Sequence, residues 1–505
     1  MNRKLAVAAS AAVIAAVQVF AAANLRFGEP FVDNAVLQRG KNVPVWGTAE
    51  PGTEVRVAFA GQEKSAKAGQ DGAWRVDLDP MEACCEGRTL TATAAGGEAA
   101  KAANVLVGEV WFAAGQSNMQ MPLWNSHCQF RDTDQGALMA AITRMPLVRF
   151  AYVPFKWSVK PDPSGGPDGK DRRSRWLPLE PESFLGPSTY QLSAVSFYFA
   201  RELHIALGVP VGIVVTAVGG TPIDSWTPRS GYDGCDDSIR KYADYPLRED
   251  WDKERDAFGV IQRPHHQPTT LWNGMVHKWT PMAMRGMIWY QGCNNSPEPD
   301  TYCAKMHALY RGWAKEFKFP GMSFYFAQLA PFTTSWMEMC AAQAKFADEE
   351  PCAAMAVTAD IGDFGNIHPL RKELVARRLL IHALKRDYGF KIEEDDSPSF
   401  VSAETKGDEL HVTFRHAKSL HCRGAANKLK PPLFEICGED GNWKEATITN
   451  LDNGKTNPLK DVDGCVLVMK AEGVSSPKKV RYMFHPRTRG TFYNEMSLPL
   501  GPFSN

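Results

Sequence analysis

Several apolar runs of this sequence end on small polar residues of the kinds that acyl transfer uses. In "GEVWFAAGQSNMQMPL", residues 108–123, a run typical of a buried strand stops at Gly115, and Ser117 follows. Later runs lead to a glycine pair, an asparagine pair and, through Asp360 and "IGDFGN", a histidine: Gly219 and Gly220, Asn294 and Asn295, and His368. In an open α/β sheet, ligands bind in the crevice at the carboxyl ends of the strands. The sequence therefore predicts that these groups converge in one cleft.

Each of these residue types has a task in ester hydrolysis. Ser117, on a tight turn before a helix, would be the nucleophile, and its own backbone N–H would point to the same place near the positive end of that helix. His368 lies just before a helix whose N-terminus disfavours the protonated imidazole, which leaves it available as the base. Gly220, or its neighbour Gly219, would offer a second backbone N–H, and Asn295 a third donor to a tetrahedral oxyanion.

The elements that position these residues are strands alternating with helices. From about residue 104 the chain has long apolar runs: "NVLVGEVWFAAG", "VPVGIVVTAVGG", "MRGMIWYQG", "MSFYFAQLAP" and "CAAMAVTADIG". Runs that are apolar on both faces are typical of parallel strands covered by helices. Amphipathic segments at 193–208 and 369–389, each closed by a glycine, predict two of those helices. We expect an α/β fold with right-handed crossovers.

Short alternating segments flank this region on both sides. Before it stand "VPVWGTA", "TEVRVAFAG" and "AWRVDLDP", separated by Pro-Gly and Asp-Gly turn signals, and similar segments return after about residue 396. The predicted division is a signal peptide at 1–23, an N-terminal antiparallel β domain at 24–103, an α/β catalytic domain at 104–395 and a C-terminal β domain at 396–505.

Composition excludes some classes of partner and indicates export. Lys plus Arg equal Asp plus Glu at 57 each, so no net field favours nucleic acid or an anionic membrane. The first 23 residues have two basic residues, an apolar run and a small-residue end at Ala23, which is typical of a cleaved secretory signal peptide. We expect a mature protein without a membrane anchor, secreted or periplasmic. The eleven cysteines could then form some disulfides.

The constellation resembles the SGNH hydrolases, and among them the sialate O-acetylesterase family of carbohydrate esterases. The likeness rests on "VGEVWFAAGQSNMQMPL", "VPVGIVVTAVGGTPIDSW", "LWNGMVHKW", "GMIWYQGCNN", "FYFAQLAPF" and "NIHPLRKELVARRL", with family-like opening and closing stretches, so it covers almost the whole mature chain. It implies a flavodoxin-like parallel sheet covered by helices, no metal and no organic cofactor. It also implies Ser117 as nucleophile, His368 as base, and Gly220 or Gly219 with Asn295 as oxyanion partners.

Two positions depart from the family pattern. Many relatives read Gly-Glu-x-Asn where this chain has Gly-Cys-Asn-Asn at 292–295, so a carboxylate is missing at Cys293. The position three residues before the histidine, often Asp in SGNH enzymes, is Gly365. Either Asp363 or Asp360 orients His368 from another loop position, or a Ser-His dyad operates with a backbone carbonyl as orienter.

The remaining expectations concern the substrate. Residues of the same motifs are expected to contact it: Gln116, Asn118, Gln291, Asn294 and Trp226. The choice between Asn294 and Asn295 as donor depends on the register of their loop. We expect an O-acetylated sugar or glycan, with O-acetylated sialic acid first and acetylated xylan or another polysaccharide second. The alternative from another class is a non-catalytic carbohydrate-binding protein on the same fold. The sequence carries no signal for a particular oligomeric state.

Overall fold

The computed structural model describes residues 25–123, 144–162, 174–184, 192–249, 263–334, 336–423, 433–452, 454–456 and 464–505. The expected signal peptide lies outside the described residues. Among the residues described, no helix is long and apolar enough to cross a membrane.

The N-terminal part is built from short antiparallel strands, as their alternating patterns predict. It contains β1 (Arg26–Phe27), β2 (Val36–Gln38), β3 (Val43–Thr48), β4 (Glu54–Phe59), β5 (Gln62–Lys67), β6 (Ala73–Leu78), β7 (Cys84–Ala94) and β8 (Ala99–Gly115). In β4, for example, Val55, Val57 and Phe59 are buried while Glu54 and Arg56 are exposed. Strand β8 continues without interruption through the predicted boundary at residue 103, so this β module and the main sheet share one strand. The division into domains stays a prediction.

The main sheet continues from β8 with mostly parallel strands. These are β9 (Met145–Tyr152), β10 (Arg175–Leu179), β11 (Val211–Ala217), β12 (Gly286–Tyr290), β13 (Ser323–Ala327) and β14 (Ala353–Ala356). Their order is β10-β9-β11-β8-β12-β13-β14, with β10 antiparallel to β9 and every other neighbouring pair parallel. The five strands predicted from the apolar runs stand in the order β11-β8-β12-β13-β14, which is the 2-1-3-4-5 order of flavodoxin-like sheets. The predicted α/β class is confirmed.

Helices cover both faces of this sheet. They are α1 (Ser117–Gln120), α2 (Pro181–Phe184), α3 (Ala194–Leu207), α4 (Asp237–Arg240), α5 (Pro299–Glu316), α6 (Met337–Glu349) and α7 (Lys372–Arg386). Side chains of β8 alternate between the two layers: Phe112 packs in the core with α5 and α6, whereas Trp111 packs in the core with α3 and α7. Short 3₁₀ turns at Ile223–Trp226, Arg229–Tyr232, Pro264–His266, His277–Trp279 and Cys293–Asn295, and a π-helical turn at Trp272–Val276, fill the connections.

The helix ends follow the predicted punctuation. Ser193 caps α3 by accepting the Ser196 N–H through its hydroxyl at 3.2 Å, and Gly208 ends the same helix with φ of 67°. Gly389, with φ of 69°, follows α7.

The chain closes with a second β module. Its strands are β15 (Ser399–Lys406), β16 (Glu409–Arg415), β17 (His421–Cys422), β18 (Phe434–Cys437), β19 (Lys444–Glu445), β20 (Thr447–Ile448), β21 (Cys465–Lys470), β22 (Lys479–Tyr482), β23 (Phe492–Tyr493) and β24 (Phe503–Ser504). They form three small sheets, with orders β15-β16-β21-β20, β17-β23 and β19-β18-β22-β24. This module touches the segment that leads to His368, because the Gly490 N–H donates to the Ala359 carbonyl at 2.9 Å.

Buried ionic contacts join the N-terminal module to the main sheet. The Glu109 carboxylate is fully buried and accepts hydrogen bonds from Arg285, Arg39 and Gln38. Burial alone would raise the pKa of Glu109, but these donors outweigh it and hold that pKa below its ordinary value. The ten described cysteines, from Cys84 to Cys465, form no disulfide with one another. Packing and ionic contacts join these parts of the chain.

The first prediction concerns Gly115, where β8 ends. A Cβ there would lie 2.3 Å from the Tyr290 carbonyl oxygen of β12, and the residue has φ of +142°. We expect Gly115→Ala to lower the free energy of unfolding by at least about 2 kcal/mol, because backbone strain and overpacking add. Urea unfolding measures this effect. Gly61→Ala is the control, since Gly61 also has positive φ but has no atom within 4 Å of the added carbon. Equal effects of the two substitutions would contradict the close-approach explanation.

Candidate active site

Ser117 stands at the carboxyl end of the central strand β8. The chain can turn there because Gly115 lets β8 approach β12, and the Gln116 N–H then donates to the Tyr290 carbonyl at 3.0 Å. Ser117 is the first residue of α1, so its own N–H has no acceptor within the helix. Helix α1 has only four residues, so it contributes individual N–H groups rather than the extended helix dipole that the sequence suggested.

His368 reaches Ser117 from the loop after β14. Its Nε2 atom lies 2.9 Å from Ser117 Oγ across 251 residues of sequence. When Nε2 carries no proton, it accepts the hydroxyl hydrogen of Ser117, which is the arrangement of a general base beside its nucleophile. The backbone N–H of His368 donates to Asn366 Oδ1 at 2.9 Å, so the loop also holds the histidine main chain.

A buried lysine and an asparagine tie the serine turn to the histidine loop. Asn118 Nδ2 donates to the carbonyl of Ile367, the residue before His368, at 3.3 Å. Lys372, fully buried at the start of α7, donates from Nζ to Asn118 Oδ1. Asn118 therefore links the two halves of the site, and its contact with substrate stays a prediction. Lys372 was not among the residues predicted from the sequence.

The two candidate aspartates have other contacts. Arg378 of α7 donates to both oxygens of Asp360, at 2.8 and 2.7 Å, so this carboxylate anchors the loop to the helix. Asp363 Oδ1 accepts the Gly365 N–H at 2.9 Å, which closes a turn within the loop. Asp360 therefore binds the guanidinium of Arg378 and Asp363 closes its own turn, and the orientation of His368 by either aspartate stays a prediction.

Of the two glycines, Gly219 lies beside the serine. A Cβ on Gly219 would lie 3.4 Å from Ser117 Cβ, whereas one on Gly220 would have no atom within 4 Å. The Gly219 N–H donates to Gln120 Oε1 at 2.8 Å. Asn294 Nδ2 donates to the Gly220 carbonyl at 2.9 Å, which fixes this turn against the loop after β12. Gly220 has φ of +72°, a conformation that glycine adopts without penalty.

Asn295 is buried and uses its side-chain amide to hold loops, and its role as an oxyanion donor stays a prediction. Its Oδ1 accepts the Ile223 N–H at 2.9 Å and Gln291 Nε2 at 2.7 Å. Its Nδ2 donates to Asp224 and Glu298, each at 3.3 Å. Asn294, by contrast, is half-buried and donates to the Gly220 carbonyl next to Gly219.

Charged groups complete this buried network. Lys305 of α5 donates to Asp224 at 3.0 Å and to Glu298 at 2.7 Å. Burial acts to lower the pKa of Lys305, but Asp224 and Glu298 outweigh it and raise that pKa. Burial acts to raise the pKa of Glu298, and Lys305 outweighs it in turn, so this pKa is lowered. These contacts therefore favour the charged forms of Lys305 and Glu298 beneath the loops.

Three further residues expected at the substrate are buried. Gln291 donates to the Thr221 carbonyl at 3.1 Å and accepts from Tyr302 at 2.7 Å. Trp226 is fully buried and donates from Nε1 to Thr221 Oγ1 at 3.0 Å. Gln116 Oε1 accepts the Gly292 N–H at 3.2 Å. Their hydrogen-bonding groups hold loops together, and their contact with substrate stays a prediction.

The Cys293 thiol is a poor rival to Ser117 as the nucleophile. Burial raises the pKa of Cys293 to about 12, so its thiol stays protonated and poorly nucleophilic. Within the described part of the chain, the sets of three side chains that could hold a metal ion contain neither Ser117 nor His368; they are Cys303, His307 and Glu349; His382, Asp395 and Asp396; and Glu394, Asp396 and His416.

The family model for "carbohydrate esterase, sialic acid-specific acetylesterase" matches residues 173–371. The rat sialate O-acetylesterase is 29% identical over 465 residues, covering 80% of this chain and 81% of the rat protein. The human sialate O-acetylesterase is 24% identical and covers 95% of this chain and 92% of its own length. The crystal structure of a carbohydrate acetylesterase from Xanthomonas citri superposes with a TM-score of 0.77 at 28% identity, covering 95% of this chain and 99% of that one.

The chain is thus similar to the sialate O-acetylesterases and to a carbohydrate acetylesterase of known structure. The matched range of the family model contains Gly219, Asn294 and His368, and Ser117 precedes it. The resemblance drawn from the sequence motifs is confirmed.

The second prediction separates the two neighbouring asparagines. We expect Asn295→Ala to lower the free energy of unfolding by at least about 2 kcal/mol, because it leaves the buried Ile223 N–H and the Gln291 amide without their acceptor. Asn294→Ala should leave stability within about 0.5 kcal/mol and lower kcat/KM for p-nitrophenyl acetate at least about tenfold. Chemical unfolding and initial rates measure the two effects. An Asn295→Ala variant that is fully stable and inactive would identify Asn295 as the oxyanion donor.

Proposed function

We propose that this chain is a carbohydrate O-acetylesterase of the SGNH type that uses Ser117 as nucleophile and His368 as base. The observation that carries the proposal is the 2.9 Å contact between Ser117 Oγ and His368 Nε2 at the carboxyl edge of the sheet. The 2-1-3-4-5 order of the five strands predicted from the apolar runs and the likeness to the Xanthomonas citri carbohydrate acetylesterase support it.

In the first half-reaction, Ser117 Oγ bonds to the acetyl carbonyl carbon while His368 Nε2 takes the hydroxyl proton. The electron pair of the carbonyl double bond moves onto its oxygen. The N–H groups of Ser117 and Gly219 and the amide of Asn294 are the proposed donors to this oxyanion. When the intermediate collapses, the bond between the carbonyl carbon and the sugar oxygen breaks, and His368 returns its proton to that oxygen.

In the second half-reaction, water releases the acetyl group. His368 takes a proton from the water as its oxygen bonds to the acetyl carbon of the acyl-enzyme. The second oxyanion collapses, the bond from carbon to Ser117 Oγ breaks, and His368 gives its proton to Oγ. Acetic acid leaves and ionises at neutral pH, and the resting pair is restored.

The substrate proposal is an O-acetylated sugar, with O-acetylated sialic acid first because the curated relatives are named sialate O-acetylesterases. Acetylated polysaccharide such as xylan is second within the same chemistry. Export through the signal-peptide-like segment at 1–23 would place the enzyme where extracellular glycans occur.

The third prediction tests the reaction and its substrate. Acetate release is measured from O-acetylated sialic acids, acetylated xylan and p-nitrophenyl acetate. We expect turnover of an acetylated sugar, and a loss of at least about 1,000-fold in kcat for both Ser117→Ala and His368→Ala. Ser65→Ala, an exposed serine of β5, is the matched control and should retain full activity. Glycan binding without Ser117-dependent turnover would favour a non-catalytic carbohydrate-binding protein.

The fourth prediction concerns Asp363. Because an asparagine side-chain oxygen can also accept the Gly365 N–H, we expect Asp363→Asn to keep kcat within about tenfold of wild type. Asp363→Ala, which removes that acceptor, should be the more damaged variant. A loss in Asp363→Asn as large as that in His368→Ala would instead identify Asp363 as the orienter of the base.

A further inference from the structure

Gln120 stands one helical turn after the proposed nucleophile. It is the last residue of α1, three positions after Ser117, and residues at this spacing lie on the same side of a helix. Its side chain is exposed, yet its Oε1 atom accepts the Gly219 N–H at 2.8 Å. The side chain therefore reaches back from α1 to the turn after β11.

The N–H that donates to Gln120 belongs to a residue that lies beside the serine. A Cβ on Gly219 would lie 3.3 Å from Gln120 Oε1 and 3.4 Å from Ser117 Cβ, so the amide oxygen and the serine side chain border the same face of Gly219. An amide carbonyl and an acetyl-ester carbonyl are both planar acceptors of an N–H. Because one N–H makes one well-aligned hydrogen bond, Gln120 and a bound acetyl group compete for Gly219.

We propose that Gln120 is a self-ligand of the active site: its amide oxygen caps the Gly219 N–H at rest and is displaced by the acetyl carbonyl. The inference rests on the proposed esterase function and adds a residue that sets its rate. Gln120 acts through Gly219 and makes no bond to the reacting atoms, so it is a positioning residue.

The exchange is feasible because the two hydrogen bonds differ in strength. The resting bond joins neutral groups, and its glutamine lies in water, where its oxygen finds new partners when it swings away. The bond to the developing oxyanion is charge-assisted and stronger. The oxyanion of the transition state therefore displaces the Gln120 oxygen. Breaking the resting hydrogen bond still lowers kcat/KM by about two- to tenfold, which corresponds to the net contribution of one exposed neutral hydrogen bond.

Two substitutions at the same position give opposite expectations. Gln120→Ala removes the acceptor and should raise kcat/KM for p-nitrophenyl acetate by about two- to tenfold. Gln120→Glu has nearly the same shape, but its carboxylate binds the N–H more strongly and repels the oxyanion, so kcat/KM should fall at least about tenfold. Gln70→Ala, an exposed glutamine of the N-terminal module, is the matched control and should equal wild type.

A purely structural tie between α1 and the Gly219 turn predicts the reverse order. In that case Gln120→Glu would keep near wild-type activity, and Gln120→Ala would be the slowest variant with a lowered unfolding midpoint. The order Ala, Gln, Glu in falling kcat/KM, with all midpoints equal, supports the self-ligand. Any other order, including equal activity of all three, overturns it.

The same experiment tests the proposed esterase function separately from the role of Gln120. Wild-type turnover that does not depend on Ser117, measured with Ser117→Ala in the same assay, would overturn the esterase mechanism and the inference with it. Ser117-dependent turnover with the wrong order at position 120 overturns the inference alone. A second readout is the rate at which a p-nitrophenyl methylphosphonate modifies Ser117, since the tetrahedral phosphonyl oxygen needs the same donors; it should follow the same order.

Discussion

The contact between Ser117 and His368 depends on how the loop after β14 is held. Strands β8 and β14 are three steps apart in the sheet, which is about 14 Å at the usual strand spacing. Eleven residues lie between Ala356 and His368, which makes twelve steps along the chain, and an extended chain of that length could reach about 40 Å. Because the loop could reach much farther than the distance between β8 and β14, its length does not determine the position of the His368 imidazole. The contacts along the loop determine that position.

Those contacts come from three parts of the fold. Arg378 of α7 binds Asp360 near the start of the loop, and the C-terminal module pairs Gly490 with Ala359. At the other end, Asn118 holds Ile367 directly beside the serine turn. The last contact matters most for the distance between the reacting atoms, since it joins residues adjacent to both. The C-terminal β module thus supports the site through the loop.

The sequence predicted where along the chain the site residues occur better than it predicted the directions in which their side chains point. The rule that ligands bind at strand ends found Ser117, Gly219 and His368, because apolar runs mark strands and their ends. It did not distinguish Asn294 from Asn295, because the two lie in a 3₁₀ turn, where successive side chains point about 120° apart. Only the packing of that turn decides which of them is buried.

Near the cleft, the polarity of a side chain did not predict whether it is exposed. Gln116, Gln291 and Trp226 were expected at the substrate, yet each uses its hydrogen-bonding groups to hold buried loop atoms. Connections between strands leave backbone groups without regular partners, and buried groups of this kind require side-chain partners. Lys372 carried a usable signal: it occupies the same helical face as Val375, Ala376 and Leu379. A lysine at an apolar position predicts a buried ammonium.

The charge of Lys372 acts on groups close to the proposed nucleophile. Burial raises the pKa of the Cys293 thiol to about 12, and Lys372 acts against that rise. Lys372 also donates to Asn118, whose amide follows the nucleophile directly in the chain. A positive charge held close to the reacting atoms at low dielectric favours the negative charge that develops on the substrate. Lys372 therefore connects the geometry of the serine turn with the electrostatics of the proposed oxyanion.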